Sequence, residues 1–211
     1  MLGAYERLQM VLVSALLAAT SIGALGQSKS RPDPLKPYTT CNAGDDLEIK
    51  DITRWPSSSG NYREVTTDKG TERVSVVDGY RVMFAYKDVR YYFANVKIEQ
   101  SEAQSYAQDK ERIINELKHI AANKQATVML YTDKTMLHGF EHYGVDRAAI
   151  DVGGTVGIHV LFDDAHQHII TIYFLNQEKK NRHFNNIDEY HALRDNFLEH
   201  YAECLQGVAI H

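Results

Sequence analysis

One stretch, Thr155 to Gln177, constrains this chain more than any other. Val156, Ile158, Val160 and Phe162 alternate with Thr155, Gly157, His159 and Leu161, the period-2 pattern of a strand. Asp163-Asp164-Ala165-His166-Gln167 then supplies turn chemistry, because an Asp carboxylate can accept from the backbone just ahead of it. The return run carries Ile170, Ile172 and Phe174 on one face and Ile169, Tyr173 and Leu175 on the other. A strand that is apolar on both faces must be covered on both, so the hairpin predicts a central strand and not an edge.

The remaining elements are read as packing around that hairpin. Strand runs precede it at Leu47 to Trp55, Tyr62 to Thr67, Arg73 to Val77, Tyr80 to Tyr86 and Val89 to Glu99. Asp78-Gly79 reads as a tight turn joining two of them, since a type I′ turn needs positive φ at both central positions. Ser101-x-x-Gln104 reads as a capping box opening a helix to about Asn123, with Tyr106, Ile113, Leu117, Ile120 and Ala121 as its apolar stripe. Ala126 to Thr132 predicts a further strand, and Met136 to Asp151 is less regular. Asn186 as N-cap, with Glu189 three residues on, opens a closing helix to about Leu205. Its stripe is Tyr190, Leu193, Phe197, Tyr201 and Cys204. The fold class expected is α+β, an antiparallel sheet flanked by two helices.

Residues 1–26 have the form of an export signal. Arg7 marks the n-region, Met10 to Ala19 the apolar h-region, and Ala24-Leu25-Gly26 a small-x-small site before Gln27. The alternative is an uncleaved anchor, because Leu8 to Leu25 is about long enough to span a bilayer. Cleavage leaves no stable membrane span and an extracytoplasmic protein, periplasmic or secreted. Residues 27–60, with Pro32, Pro34 and Pro37, are expected as an extended linker, and 61–206 as a single domain. In an oxidising compartment Cys41 and Cys204 are expected to form one disulfide, and two free thiols are the alternative. Closing so long a loop stabilises a fold by about 5 kcal/mol at most. The formal charge of −5 and the lack of a basic cluster argue against a nucleic-acid partner.

The element order resembles the PsbP-like fold, in which a bent antiparallel sheet is flanked by helices and the last hairpin feeds a C-terminal helix. The resemblance covers roughly residues 62–205. The runs Val160 to Asp164, Ile170 to Gln177 and Glu189 to Arg194 also resemble a family of uncharacterised exported bacterial proteins. The first resemblance implies an extracytoplasmic accessory or binding module without catalysis; neither carries a site residue across.

The sharpest motif is His138-Gly139-Phe140-Glu141-His142, which matches H-x-x-E-H, the inverted zinc-peptidase pattern. That chemistry needs a helix, so that both histidines share a face, and a third ligand. Gly139 inside the motif and Gly144 just after it favour a loop or irregular strand instead. His166 and His168, two apart, could hold a transition metal with His159 across the hairpin, but such residues more often decorate a turn. Gly153 to Gly157 leads into a strand and makes no phosphate cradle, and no G-x-S-x-G elbow occurs. No catalytic residue and no cofactor is expected. Tyr91, Phe93 and Tyr173, with Ile169 and Leu175, crowd the sheet face opposite the main stripes. They are expected either under a second covering layer or as a surface for a protein or small ligand. The function expected is that of an exported, non-catalytic binding or accessory protein of the cell envelope. The alternative is a zinc-dependent hydrolase using His138, Glu141 and His142.

Overall fold

The computed structural model of this chain describes residues 33–55, 62–67, 70–75, 79–101, 103–123, 128–149, 153–177 and 182–209. The expected signal over 1–26 and its cleavage site lie outside them. A 3-10 turn, η1 (Lys36–Thr40), leads into strands β1 (Leu47–Trp55), β2 (Tyr62–Thr67), β3 (Gly70–Ser75), β4 (Gly79–Tyr86) and β5 (Ala94–Gln100). Helix α1 (Tyr106–Ala122) is followed by β6 (Met129–Leu137), β7 (Phe140–Arg147), β8 (Gly154–Asp163) and β9 (His168–Asn176), and α2 (Ile187–Ala209) closes the chain. Seven strands form one antiparallel sheet in the order β1-β4-β5-β9-β8-β7-β6, and β2-β3 pair separately. The protein is α+β, a seven-stranded antiparallel sheet with two helices packed against it.

β9 is central, between β5 and β8, as its two apolar faces require. Its Ile170, Ile172 and Phe174 face α2, where Tyr190, Phe197, Leu198, Tyr201 and Leu205 pack on Phe84, Phe93 and Val96. Aromatic rings dominate this side: Phe174 meets Phe197 edge-on at 5.3 Å, and Phe84 meets Phe197 at 5.2 Å. Ile169 points the other way. It joins Tyr143, Val145, Val160 and Phe162 beneath Tyr106, Ile113, Leu117 and Ile120 of α1. A bulge between Thr155 and Gly157 moves Val156 off the α1 face, where simple alternation had placed it, and into the α2 cluster.

Local chemistry explains the ends of these elements. The Asn186 carboxamide accepts from the Glu189 amide at 2.8 Å and donates back to Glu189 Oε1 at 2.9 Å, a reciprocal cap that starts α2. At α1 the expected box does not form. Ser105 sits at the N-cap, and Ser101 instead donates to Asp109 Oδ2 at 2.7 Å. Asp163 Oδ1 accepts from the His166 amide at 3.2 Å and shapes the β8–β9 turn.

Three expectations need correction. β3 does not pair with β4, which lies between β1 and β5, so Gly79 begins a strand instead of closing a β3–β4 hairpin. The irregular stretch expected after Met136 is the regular β6–β7 hairpin. The expected linker is not extended throughout. Leu35, Tyr38, Cys41 and Ala43 are buried in the α2-side core, and β1 is an edge strand of the main sheet.

Candidate functional site

The expected zinc motif is taken apart by the hairpin that contains it. Leu137 pairs with Phe140, which leaves His138-Gly139 as a two-residue turn with φ of 45° and 91°. Positive φ at both positions is what a type I′ turn demands, and it accounts for the glycine. Glu141 and His142 are then neighbours on a strand and point to opposite faces. Glu141 lies on the α1 side, salt-bridged to Lys110 at 2.9 Å and to Lys134. Hydrogen bonds from those two lysines hold its carboxyl below the usual range. His138 bonds Glu199 of α2 at 2.7 Å. The three side chains do not converge, and among the described residues no group of three or more His, Cys, Asp and Glu is placed to hold a metal ion. His166 and His168 stack at 5.8 Å by the β8–β9 turn, where His166 bonds Asp163, whereas His159, on the same α2-facing side of the sheet, is bonded to His142 and Asp146 instead.

The aromatic set expected as a surface also separates. Phe93 is fully buried on the α2 side against Phe174, Phe184 and Phe197, so it presents nothing to a partner. Ile169 is buried under α1. Tyr91 is 37% exposed in the β4–β5 connection. Tyr173 is half-buried on the face opposite α2, with Lys97 Nζ 5.4 Å from its ring centre.

The structure brings together residues that the sequence reading did not connect. On β7, His142, Gly144 and Asp146 face α2; beside them on β8 are Leu161, His159 and Gly157, partner for partner. His159 Nε2 lies 2.9 Å from Asp146 Oδ1, and its Nδ1 lies 2.8 Å from His142 Nε2. His142 Nδ1 lies 2.8 Å from Thr135 Oγ1 on β6. The rings of His142 and His159 are within 8° of coplanar with centroids 5.1 Å apart, so they meet edge to edge through that N···N bond.

The far end sets the direction of every bond. A carboxylate only accepts, so His159 Nε2 carries its proton and donates to Asp146. His159 Nδ1 then accepts from His142 Nε2–H, and His142 Nδ1 accepts from the Thr135 hydroxyl. Asp146 Oδ1 also accepts from Tyr190, and Oδ2 accepts from Arg194 Nη1 at 2.6 Å. Burial pushes the Asp146 carboxyl up, but the His159 and Tyr190 hydrogen bonds and the Arg194 charge outweigh it and hold it below its usual range. Burial takes His142 down to about 3, and the charges of His159 and Arg194 act in the same direction. Burial beside Asp146 raises Tyr190 well above the ordinary phenol value.

Two glycines make room for this chain of bonds. A Cβ on Gly144 would stand 2.5 Å from the His159 ring, and one on Gly157 would collide with the Tyr190 hydroxyl and Asp146. The pattern His142-x-Gly144-x-Asp146, with Gly157-x-His159 on the next strand, is the trace such a cluster leaves in sequence. It becomes legible only once the β7–β8 register is known.

Cys41 and Cys204 are both free thiols in this structure, which corrects the expected disulfide; burial, with Cys204 close by, pushes the Cys41 thiol up. Among the described residues, no helix is long and apolar enough to cross a membrane. No family model, no curated protein and no solved structure matches the chain. The class the fold defines is therefore the α+β sheet protein described above.

Proposed function

We propose that the chain is an exported binding or accessory protein whose ligand surface is the half of the sheet that neither helix covers. One observation carries this reading. α2 backs the middle of the sheet on one face, but on the other face α1 backs the β6–β7–β8 end and reaches β9 only at Ile169. Across the remaining strands run two rows of paired residues, Thr53–Arg81–Lys97–Thr171 and Asp51–Met83–Asn95–Tyr173. Met83, Tyr173 and the neighbouring Leu175 belong to neither apolar cluster. A sheet face that no helix crosses is broad and shallow. That shape suits a protein partner, whereas a small ligand needs a concavity.

The leader-like sequence over 1–26 supports export, and the order of elements supports an accessory role of the PsbP-like kind. Export would also give the thiol pair a structural use, because oxidation of the neighbouring Cys41 and Cys204 ties the η1 segment to α2. A photo-crosslinking amino acid at position 173, with position 111 on the exposed side of α1 as control, tests the surface in cells of the source organism. Discrete protein adducts from 173 alone, on a mature chain that starts at Gln27 and lies outside the cytoplasm, are expected. Equal adducts from both positions, or cytoplasmic recovery, would overturn the reading.

A further inference from the structure

The row from Thr135 to Asp146 runs without a break from an exposed residue to a buried acid. Thr135 is exposed on the edge strand β6, whereas His142, His159 and Asp146 are each at least nine-tenths buried. Every bond in the row points the same way. The buried acid is fixed from α2 by Tyr190 and Arg194, and Arg194 is itself held by Asp195 at 2.7 Å. The hydroxyl that satisfies the buried His142 Nδ1 belongs to an exposed residue, so the donor end of the row is the end nearest solvent. The alcohol of an exposed residue, hydrogen-bonded to an imidazole that a buried carboxylate orients through a second ring, is an arrangement that activates a nucleophile.

From this geometry we infer that Thr135 Oγ is an activated nucleophile for acyl esters, with His142 as its base and His159 and Asp146 as positioning residues. In the step assigned, Thr135 Oγ attacks the ester carbonyl carbon and forms the new C–O bond. Its proton passes to His142 Nδ1 while the Nε2 proton of His142 passes to His159 Nδ1. The ester C–O bond then breaks, and the leaving oxygen recovers a proton through His142, leaving Thr135 acylated. Water releases the acid by the same path.

The second imidazole has a physical purpose in this scheme. Burial disfavours a charge resting on His142. A relay lets the charge reside on His159, next to the Asp146 carboxylate, where it is stabilised. The groups facing His159 from the packed elements are His142 and Asp146 of β7, and Tyr190 and Arg194 of α2. This site is on β6, β7 and β8, apart from the helix-free face, so it stands or falls independently of the binding surface.

p-Nitrophenyl acetate added to the full-length protein is the probe, followed by peptide mass spectrometry and by the burst of nitrophenolate. The expected result is one acetyl group on Thr135, absent in Thr135→Val and retained in Thr135→Ser. The acylation rate should fall about 100-fold or more in His142→Gln, the usual range for a lost general base. The acid limb of the pH–rate profile should move to lower pH in Asp146→Asn, since the Asp146 charge raises His142 and removing it makes that base harder to protonate; a merely structural Asp146 would not move it. Thr135→Val changes an exposed side chain and is expected to fold, so the central comparison survives if a buried variant does not. No adduct on Thr135, or equal rates in wild type and Thr135→Val, would overturn the inference.

Discussion

At the residue scale, two glycines show how sharply one substitution depends on its surroundings. Gly157 lies under the Tyr190 hydroxyl and Asp146, groups held by α2 and unable to retreat. Gly157→Ala should therefore cost about 3 kcal/mol through overpacking and the displaced hydrogen bond. Gly207, inside α2, has open space where a Cβ would sit. Gly207→Ala should gain about 0.5 kcal/mol from helix propensity, less than the full amount because the helix ends two residues later. Urea unfolding of both variants checks the opposite signs. The histidines add a pH dependence. Burial sets His142 at about 3 and His168 at about 4, whereas an unfolded chain protonates both near 6.5. The unfolded state thus binds more protons below about pH 6.5. Stability should be complete above that value and decline as pH falls toward 4, by up to about 1.4 kcal/mol per pH unit for each ring. A urea midpoint unchanged between about pH 7 and about pH 4.5 would contradict this.

At the scale of elements, α2 does the most organising. Its buried stripe gives Phe197 and Tyr201 to the aromatic core, its first two turns give Tyr190 and Arg194 to the buried acid, and its last turns bring Cys204 to Cys41. The helix start is fixed by Asn186 and Glu189, which were legible in sequence because a capping box is a local motif. Asn186→Ala should lower stability by about 1 kcal/mol, read as a lower thermal midpoint, with the α2 amides exchanging faster. The α1 box was misread for an equally local reason: Ser101 is drawn to Asp109, two turns away, and the helix starts later. The β6–β7 hairpin shows the limit of motif reading. H-x-x-E-H presupposes a helix, but His138-Gly139 turns the chain and puts Glu141 and His142 on opposite faces.

At the scale of the whole molecule, protection should follow position in the sheet. β9 is paired on both edges and covered at Ile169 by α1 and at Ile170, Ile172 and Phe174 by α2. The outer strands β1 and β6 each pair on one edge only among the described residues and carry exposed Ile52, Leu130 and Met136. Native-state hydrogen exchange should find the slowest amides in β9 and its neighbours β5 and β8, with β1 and β6 opening first. Uniform protection across the sheet would contradict this picture of one central strand.

By itself, the sequence determined the central hairpin, the two helices with their apolar stripes, and the α+β class, because these depend on periodicity and capping within a few residues. It also led to an expected Cys41–Cys204 disulfide, where the structure has two free thiols. Tertiary structure alone decided that Phe93 lies inside, that β4 pairs with β1 and β5, and that Thr135, His142, His159 and Asp146 form one line. The reason is register. A cluster built across three strands and a distant helix depends on which residues stand opposite one another, and strand partners carry no local mark of their pairing.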